Sequence, residues 1–164
     1  AQNKTGWTAL MFAAGWGQTD TIDALLNAGA DINIKSRFGW TALTFATKNS
    51  QTSTMQKLLE SGADPNTSLI WGLTPLMVAA MEGNVATVKT LILAGVNVNT
   101  SMSSTGQTAL MFAARAGKKD NVLALIGSNA DINARDLRGS TPLKEAMQGF
   151  NTEVFQILIN AGAQ

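Results

Sequence analysis

The chain contains no histidine and no cysteine among its 164 residues. Zinc clusters of the usual ligand sets and histidine-assisted nucleophiles are thereby excluded. Carboxylates remain as the candidates for acid–base chemistry. Asp31, Asp64 and Asp131, however, recur in register, each two residues before an asparagine (Asn33, Asn66 and Asn133). Turn formers are placed in this way. Asp20, Asp23, Glu60, Glu82, Asp120 and Glu153 fall on or beside helical segments, as solvated faces do. Arg115-Ala116-Gly117-Lys118 lacks the first glycine and the Ser/Thr of a phosphate-binding loop. The sequons at Asn3, Asn66 and Asn99 are motifs short enough to arise by chance in a Thr/Asn-rich chain. These residues predict no catalytic group, no metal site and no cofactor.

Bulk charge points the same way. Lys plus Arg number 12 against 11 Asp plus Glu, and only Lys118 and Lys119 are adjacent. A nucleic-acid partner needs a basic face or run, which is missing here. The longest apolar stretches, such as 76–81 and 154–159, are too short to cross a bilayer. Ala1-Gln2 suits the start of a mature exported protein and equally a trimmed chain, which leaves the compartment open.

The aromatic residues are unevenly spread. There is no tyrosine, and the four tryptophans, Trp7, Trp16, Trp40 and Trp71, lie in the first half. Their register follows from a repeat. Thr-(Ala/Pro)-Leu begins at Thr8, Thr41, Thr74, Thr108 and Thr141, at intervals of 33, 33, 34 and 33 residues. A second marker, typified by Ala28-Gly29-Ala30-Asp31, keeps step with it. Threonine is a good helix N-cap, and alanine or proline suits the first helical position. Gly17, Gly83 and Gly117 are expected to end the first helix in a left-handed conformation. The second helix carries apolar trios at i, i+3 and i+4, such as Ile22/Leu25/Leu26 and Val88/Leu91/Ile92, which form one buried stripe. The spacing predicts helix pairs over 9–16 and 19–27, 42–49 and 52–60, 75–82 and 85–93, 109–116 and 119–127, and 142–149 and 152–160.

This pattern resembles the ankyrin repeat over essentially the whole chain. The resemblance implies an all-α solenoid of stacked helix-loop-helix pairs with β-turn fingers. It also implies one domain over 1–164, with repeats near 6–38, 39–71, 72–105, 106–138 and 139–164. The family's members bind other proteins, commonly through the fingers and inner helices. The chain departs from the family in several places. Met11, Thr44, Met77, Met111 and Lys144 stand where the family commonly has histidine. Phe150 occupies the slot of Gly17, so the last hairpin is expected to turn differently. The first finger is expected to be largely missing, and the fourth has one extra residue.

Set out by repeat, the surface slots grade from apolar to polar. The first three repeats offer Trp7, Trp16, Phe38, Trp40, Ile70, Trp71, Leu73 and Met81. The last two offer Ser104, Thr105, Gln107, Arg115, Arg138 and Ser140, with Leu137 the large apolar exception. The expectation is a non-enzymatic scaffold that binds a protein or peptide through repeats one to three, with the eight apolar residues as its contact surface. Two further readings are a small-ligand or glycan surface built on the tryptophans, and weak self-association through a terminal helix made apolar by Val154 and Ile157. Lys144 and Glu145 read as a polar C-terminal cap. The N-terminal end, with Leu10, Phe12 and Ile22, is expected to be open, either to more chain or to another molecule.

Overall fold

A computed structural model describes residues 1–164. Helix starts follow the threonines. Thr8 and Thr41 Oγ1 accept from the amides of Met11 and Thr44 at 3.2 Å, and Thr74 and Thr141 Oγ1 from those of Met77 and Lys144 at 3.3 Å. In the second repeat Thr44 takes over the role of the family's histidine: its Oγ1 accepts from the Thr41 amide at 2.7 Å. Thr108 starts its helix without such a bond, and its Oγ1 is buried with no partner.

Five helix pairs result: α1 Ala9–Gly15 and α2 Thr19–Asn27, α3 Ala42–Lys48 and α4 Thr52–Glu60, α5 Pro75–Glu82 and α6 Val85–Leu93, α7 Ala109–Arg115 and α8 Lys119–Ile126, α9 Pro142–Gln148 and α10 Thr152–Asn160. These lie within one residue of the expected bounds. The odd-numbered helices pack in sequence as an inner layer and the even-numbered ones as an outer layer, each against its neighbours, as a solenoid requires. One apolar cluster runs through all five pairs, from Leu10 to Leu158. There is no strand, only isolated bridges between Gln2 and Thr8 and between Ser101 and Thr108.

Two expectations about the hairpins are corrected. Phe150 takes the same left-handed backbone as Gly17, with φ of 57° against 71°, so the last hairpin turns like the first and leaves its ring in solvent. Gly83 instead has φ of −74°, and Asn84 caps the following helix by accepting from the Thr87 amide at 3.0 Å.

The fingers form a ladder. Each turn is closed by a glycine amide: Gly6 to Asn3 O, Gly39 to Ser36 O, Gly72 to Leu69 O, Gly106 to Met102 O and Gly139 to Asp136 O. The first finger is therefore present, because Asn3 Oδ1 also gathers the amides of Thr5 and Trp7 at 2.9 and 3.0 Å. Neighbouring fingers are joined by Arg37 N donating to Thr5 O, Ile70 N to Phe38 O, Ser104 N to Trp71 O and Leu137 N to Thr105 O. The recurrent acids are turn formers, as expected. Asp31, Asp64 and Asp131 each accept from the amide two residues on. Asn33 and Asn99 then bridge to the next repeat through the amides of Asp64 and Asp131 at 2.9 and 2.7 Å.

Buried polar groups also tie the layers together. Asn121 Nδ2 donates toward the carbonyls of Ala79, Ala80 and Gly83 at 3.3, 3.1 and 3.2 Å. Asn121→Leu keeps the branched heavy-atom shape but removes this side-chain donor, leaving Ala79 O with only the Gly83 amide. It should lower unfolding free energy by about 1–3 kcal/mol in urea titration, whereas no change would mean that the carbonyls find other donors.

The two ends differ from expectation in part. Leu10 and Ile22 are as well shielded as Leu76 and Val88, because they pack against their own pair and the next one. Phe12, by contrast, is 46% exposed where Val78 is buried. Ala9 and Thr21 are likewise exposed although Ala42, Pro75, Thr54 and Thr87 in the same slots are buried. The openness of the N-terminal end thus lies in the residues that a preceding pair would cover. At the other end Lys144 is exposed where Met11, Met77 and Met111 are buried, as a cap requires. Glu145 is not part of that solvated cap, being only 2% exposed. Val154 is also buried, against the preceding pair, and offers no surface for self-association.

Candidate functional site

Trp7 and Trp40 close the first two fingers. Asn3 N donates to Trp7 O at 2.9 Å and Ser36 N to Trp40 O at 2.8 Å, and each tryptophan immediately precedes the threonine that caps an inner helix. Equal repeat positions therefore bring the two indoles side by side, stacked with centroids 6.4 Å apart and planes 22° apart. The inner helices add Phe12 and Phe45, four residues into each. Phe45 meets Trp7 edge-on at 4.7 Å and Trp40 at 5.9 Å, and Phe12 lies 5.7 Å from Trp7. Lys48 Nζ sits over the Trp40 ring at 5.4 Å, within cation–π range. Gly15 makes room for this arrangement, since a Cβ there would fall against the Phe45 ring.

The other expected residues are distributed around this cluster. Phe38 and Trp71 occupy the same turn position in the second and third fingers and are 52% and 69% exposed. Their rings join no aromatic pair, so they flank the cluster along the finger ladder and are not stacked into it. Trp71 lies in a short 3-10 turn, Ile70–Gly72, at φ of 66°, and its carbonyl accepts from Ser103 Oγ at 2.9 Å. Ile70 and Leu73 are half-buried, and Leu73 packs against the apolar core. Trp16 projects from the end of α1 at 75% exposure, and Met81 is half-buried near the end of α5. Phe12 was expected to be open at the N-terminal end, but neither it nor Phe45 was expected beside the tryptophans. Their shared slot, one helical turn past the capping threonine and beside the tryptophan slot, was the signal available.

The last two repeats present a different surface. A concavity of about 330 Å³ lies between the fifth finger and α7 and α9, and none of its nine lining residues is hydrophobic. On its floor Glu145 accepts from Ser140 Oγ at 2.7 Å and faces the Arg115 guanidinium at 3.4 Å. Among the titratable groups, Lys57 and Lys119 are raised above the ordinary lysine range, first by hydrogen bonds to Asp23 and Glu153 and then by the charge of those carboxylates. Both pairs bridge neighbouring outer helices. The stabilisation linked to these raised lysines is present at neutral pH and is lost as pH rises through the raised lysine values. No group of three acidic side chains is placed to hold a metal ion.

A family model of ankyrin repeats, in three copies, matches residues 1–69 and 66–136. The chain belongs to the ankyrin-repeat family. Ankyrin repeats generally mediate protein–protein interaction. Among curated relatives, neurogenic locus notch homolog protein 1 of Xenopus laevis is 47% identical over 55 residues, 34% of this chain and 2% of that protein. The neurogenic locus Notch protein of Drosophila melanogaster is 41% identical over 58 residues, 35% of this chain and 2% of that protein. A mitochondrial disaggregase of Bos taurus is 43% identical over 60 residues, 37% of this chain and 9% of that protein. The matched stretch thus spans a small fraction of each relative. The likeness concerns the ankyrin repeats themselves. No helix is long and apolar enough to cross a membrane.

Proposed function

We propose that this ankyrin chain is a non-catalytic binding unit, one domain over residues 1–164, that holds a protein or peptide on the finger and inner-helix face of its first three repeats. The observation that carries this reading is the aromatic surface of that half: the Trp7, Trp40, Phe12 and Phe45 cluster, flanked by exposed Trp16, Phe38 and Trp71. Exposed apolar side chains are ordinary singly, but a gathered set of aromatic anchors is the composition of protein-binding hot spots. A sugar platform is less well served. With Trp7 stacked against it and Lys48 over it, the Trp40 ring has little open face left to offer.

The test separates binding from folding. Trp71 is the cleanest probe, because its ring has no aromatic partner to lose. For a partner captured from native lysate and identified by cross-linking to the finger face, Trp71→Ala should weaken binding by about 2 kcal/mol, roughly thirtyfold. Its thermal midpoint should stay within a few degrees of the parent. Trp40→Ala should weaken binding as much and also lower stability by about 1 kcal/mol, since it removes aromatic contacts within the fold. Lys89→Ala, on the outer helix α6, should do neither. Unchanged affinity in both tryptophan variants would place the partner elsewhere and reduce the cluster to internal stacking.

A further inference from the structure

We propose that the polar concavity of the last two repeats is a subsite for one carboxylate side chain of the bound partner. This rests on the peptide-binding reading only for the nature of the ligand, since the concavity lies at the opposite end of the array from the aromatic cluster. The argument begins with Glu145. Its slot holds Phe12, Phe45 and Phe112 in other repeats, and a buried carboxylate there needs partners. Ser140 Oγ supplies one, and Arg115, reaching across from the fourth repeat, supplies a charge at 3.4 Å. The guanidinium is thereby held at the floor of the concavity while the Arg115 side chain remains largely open to solvent.

The other carboxylate of the concavity is also occupied. Asp136 Oδ1 accepts from the amides of Arg138 and Ser140 at 2.9 and 2.7 Å and serves its own turn. The cations are not occupied in this way. Arg138 and Lys144 line the same space, are exposed, and take part in no ion pair. Three cations against two carboxylates leave one uncompensated positive charge inside a concave wall, where field lines concentrate. That excess matches a monoanion. A phosphate dianion would overfill it. Guanidinium groups recognise carboxylates through paired N–H donors, and Arg138 has all of its side-chain donors free. A partner lying along the groove would thus place aromatic or apolar side chains against repeats one to three and an Asp or Glu against repeats four and five.

The probes are the capped tripeptide Ac-Ala-Glu-Ala-NH2, its glutamine counterpart and inorganic phosphate, each titrated into the labelled full chain and followed by amide and guanidinium NMR shifts. The glutamate peptide should give saturable shifts at Arg115, Arg138, Ser140 and Lys144, and the glutamine peptide none. Arg138→Gln should weaken the glutamate peptide about tenfold. Trp40→Ala should leave this titration unchanged, so that loss of the aromatic surface and loss of the acid subsite are read separately. Equal shifts from both peptides, shifts spread over Lys4, Lys35 and Lys89, tighter saturation by phosphate, or an unaltered Arg138→Gln variant would each overturn the assignment.

Discussion

Leu91→Ala should destabilise the chain by about 3–5 kcal/mol, enough to lower its urea midpoint sharply. Leu91 is fully buried in the central pair, between the outer helices of its neighbours, so truncation leaves a cavity that the surrounding helices cannot close. The same slot in the first repeat holds Leu25, which is only half-buried. Leu25→Ala should therefore cost no more than about half as much, since part of the removed surface is already in water. The comparison also probes cooperativity. Solenoid stability is a sum of repeat and nearest-neighbour terms, so a lesion in the middle can uncouple the two ends. The unfolding slope of Leu91→Ala should fall relative to the parent, and that of Leu25→Ala should not. Equal losses for the two leucines would mean that the end repeat is covered as well as the central one.

Much of the fold is legible in the sequence because its signals are local. A threonine N-cap, a small residue at the next position and a left-handed residue after the second helix are all contained within one repeat. The helices accordingly fall within a residue of their expected bounds. The hairpins were less legible for a reason also visible here. Phe150 shows that neighbours can hold a bulky residue in a left-handed conformation, and Gly83 shows that a glycine need not use its freedom. Residue type gives a preference at such a position, whereas packing decides the outcome.

The candidate site was half legible. Register alone places Trp7 beside Trp40, and the structure stacks them. The place of Phe12 and Phe45 beside the tryptophans was hidden, because the helical pattern does not say which side of an inner helix meets the fingers. Glu145 was hidden differently. A carboxylate in an otherwise apolar slot reads as a solvated cap, and only the approach of Arg115 from 30 residues earlier reveals an ion pair in which the carboxylate is buried and the guanidinium partner is not. Pairings between repeats are the part of a solenoid that a single repeat cannot show.

The finger ladder that carries Phe38 and Trp71 offers the last test. Gly39 has φ of +81°, and a Cβ on it would stand 2.7 Å from Leu69 Cα, a backbone atom of the next finger. Gly139 has φ of +73° in the equivalent turn of the last finger, where nothing lies within 4 Å of that Cβ. The two glycines share a conformation and differ in whether another finger's backbone lies against that Cβ. Gly139→Ala should therefore cost about 1 kcal/mol, the penalty for alanine in a left-handed backbone. Gly39→Ala carries that penalty and must also push the second and third fingers apart, for a total of about 2–4 kcal/mol. The displacement should be visible as faster exchange of the Ile70 amide, which donates to Phe38 O at 3.2 Å across the junction. Partner affinity should fall in Gly39→Ala even where the chain remains folded, because Phe38 and Trp71 would no longer keep their spacing. Equal losses in the two variants, with no change at Ile70, would show that the close approach of the fingers contributes nothing and that backbone strain accounts for the whole effect.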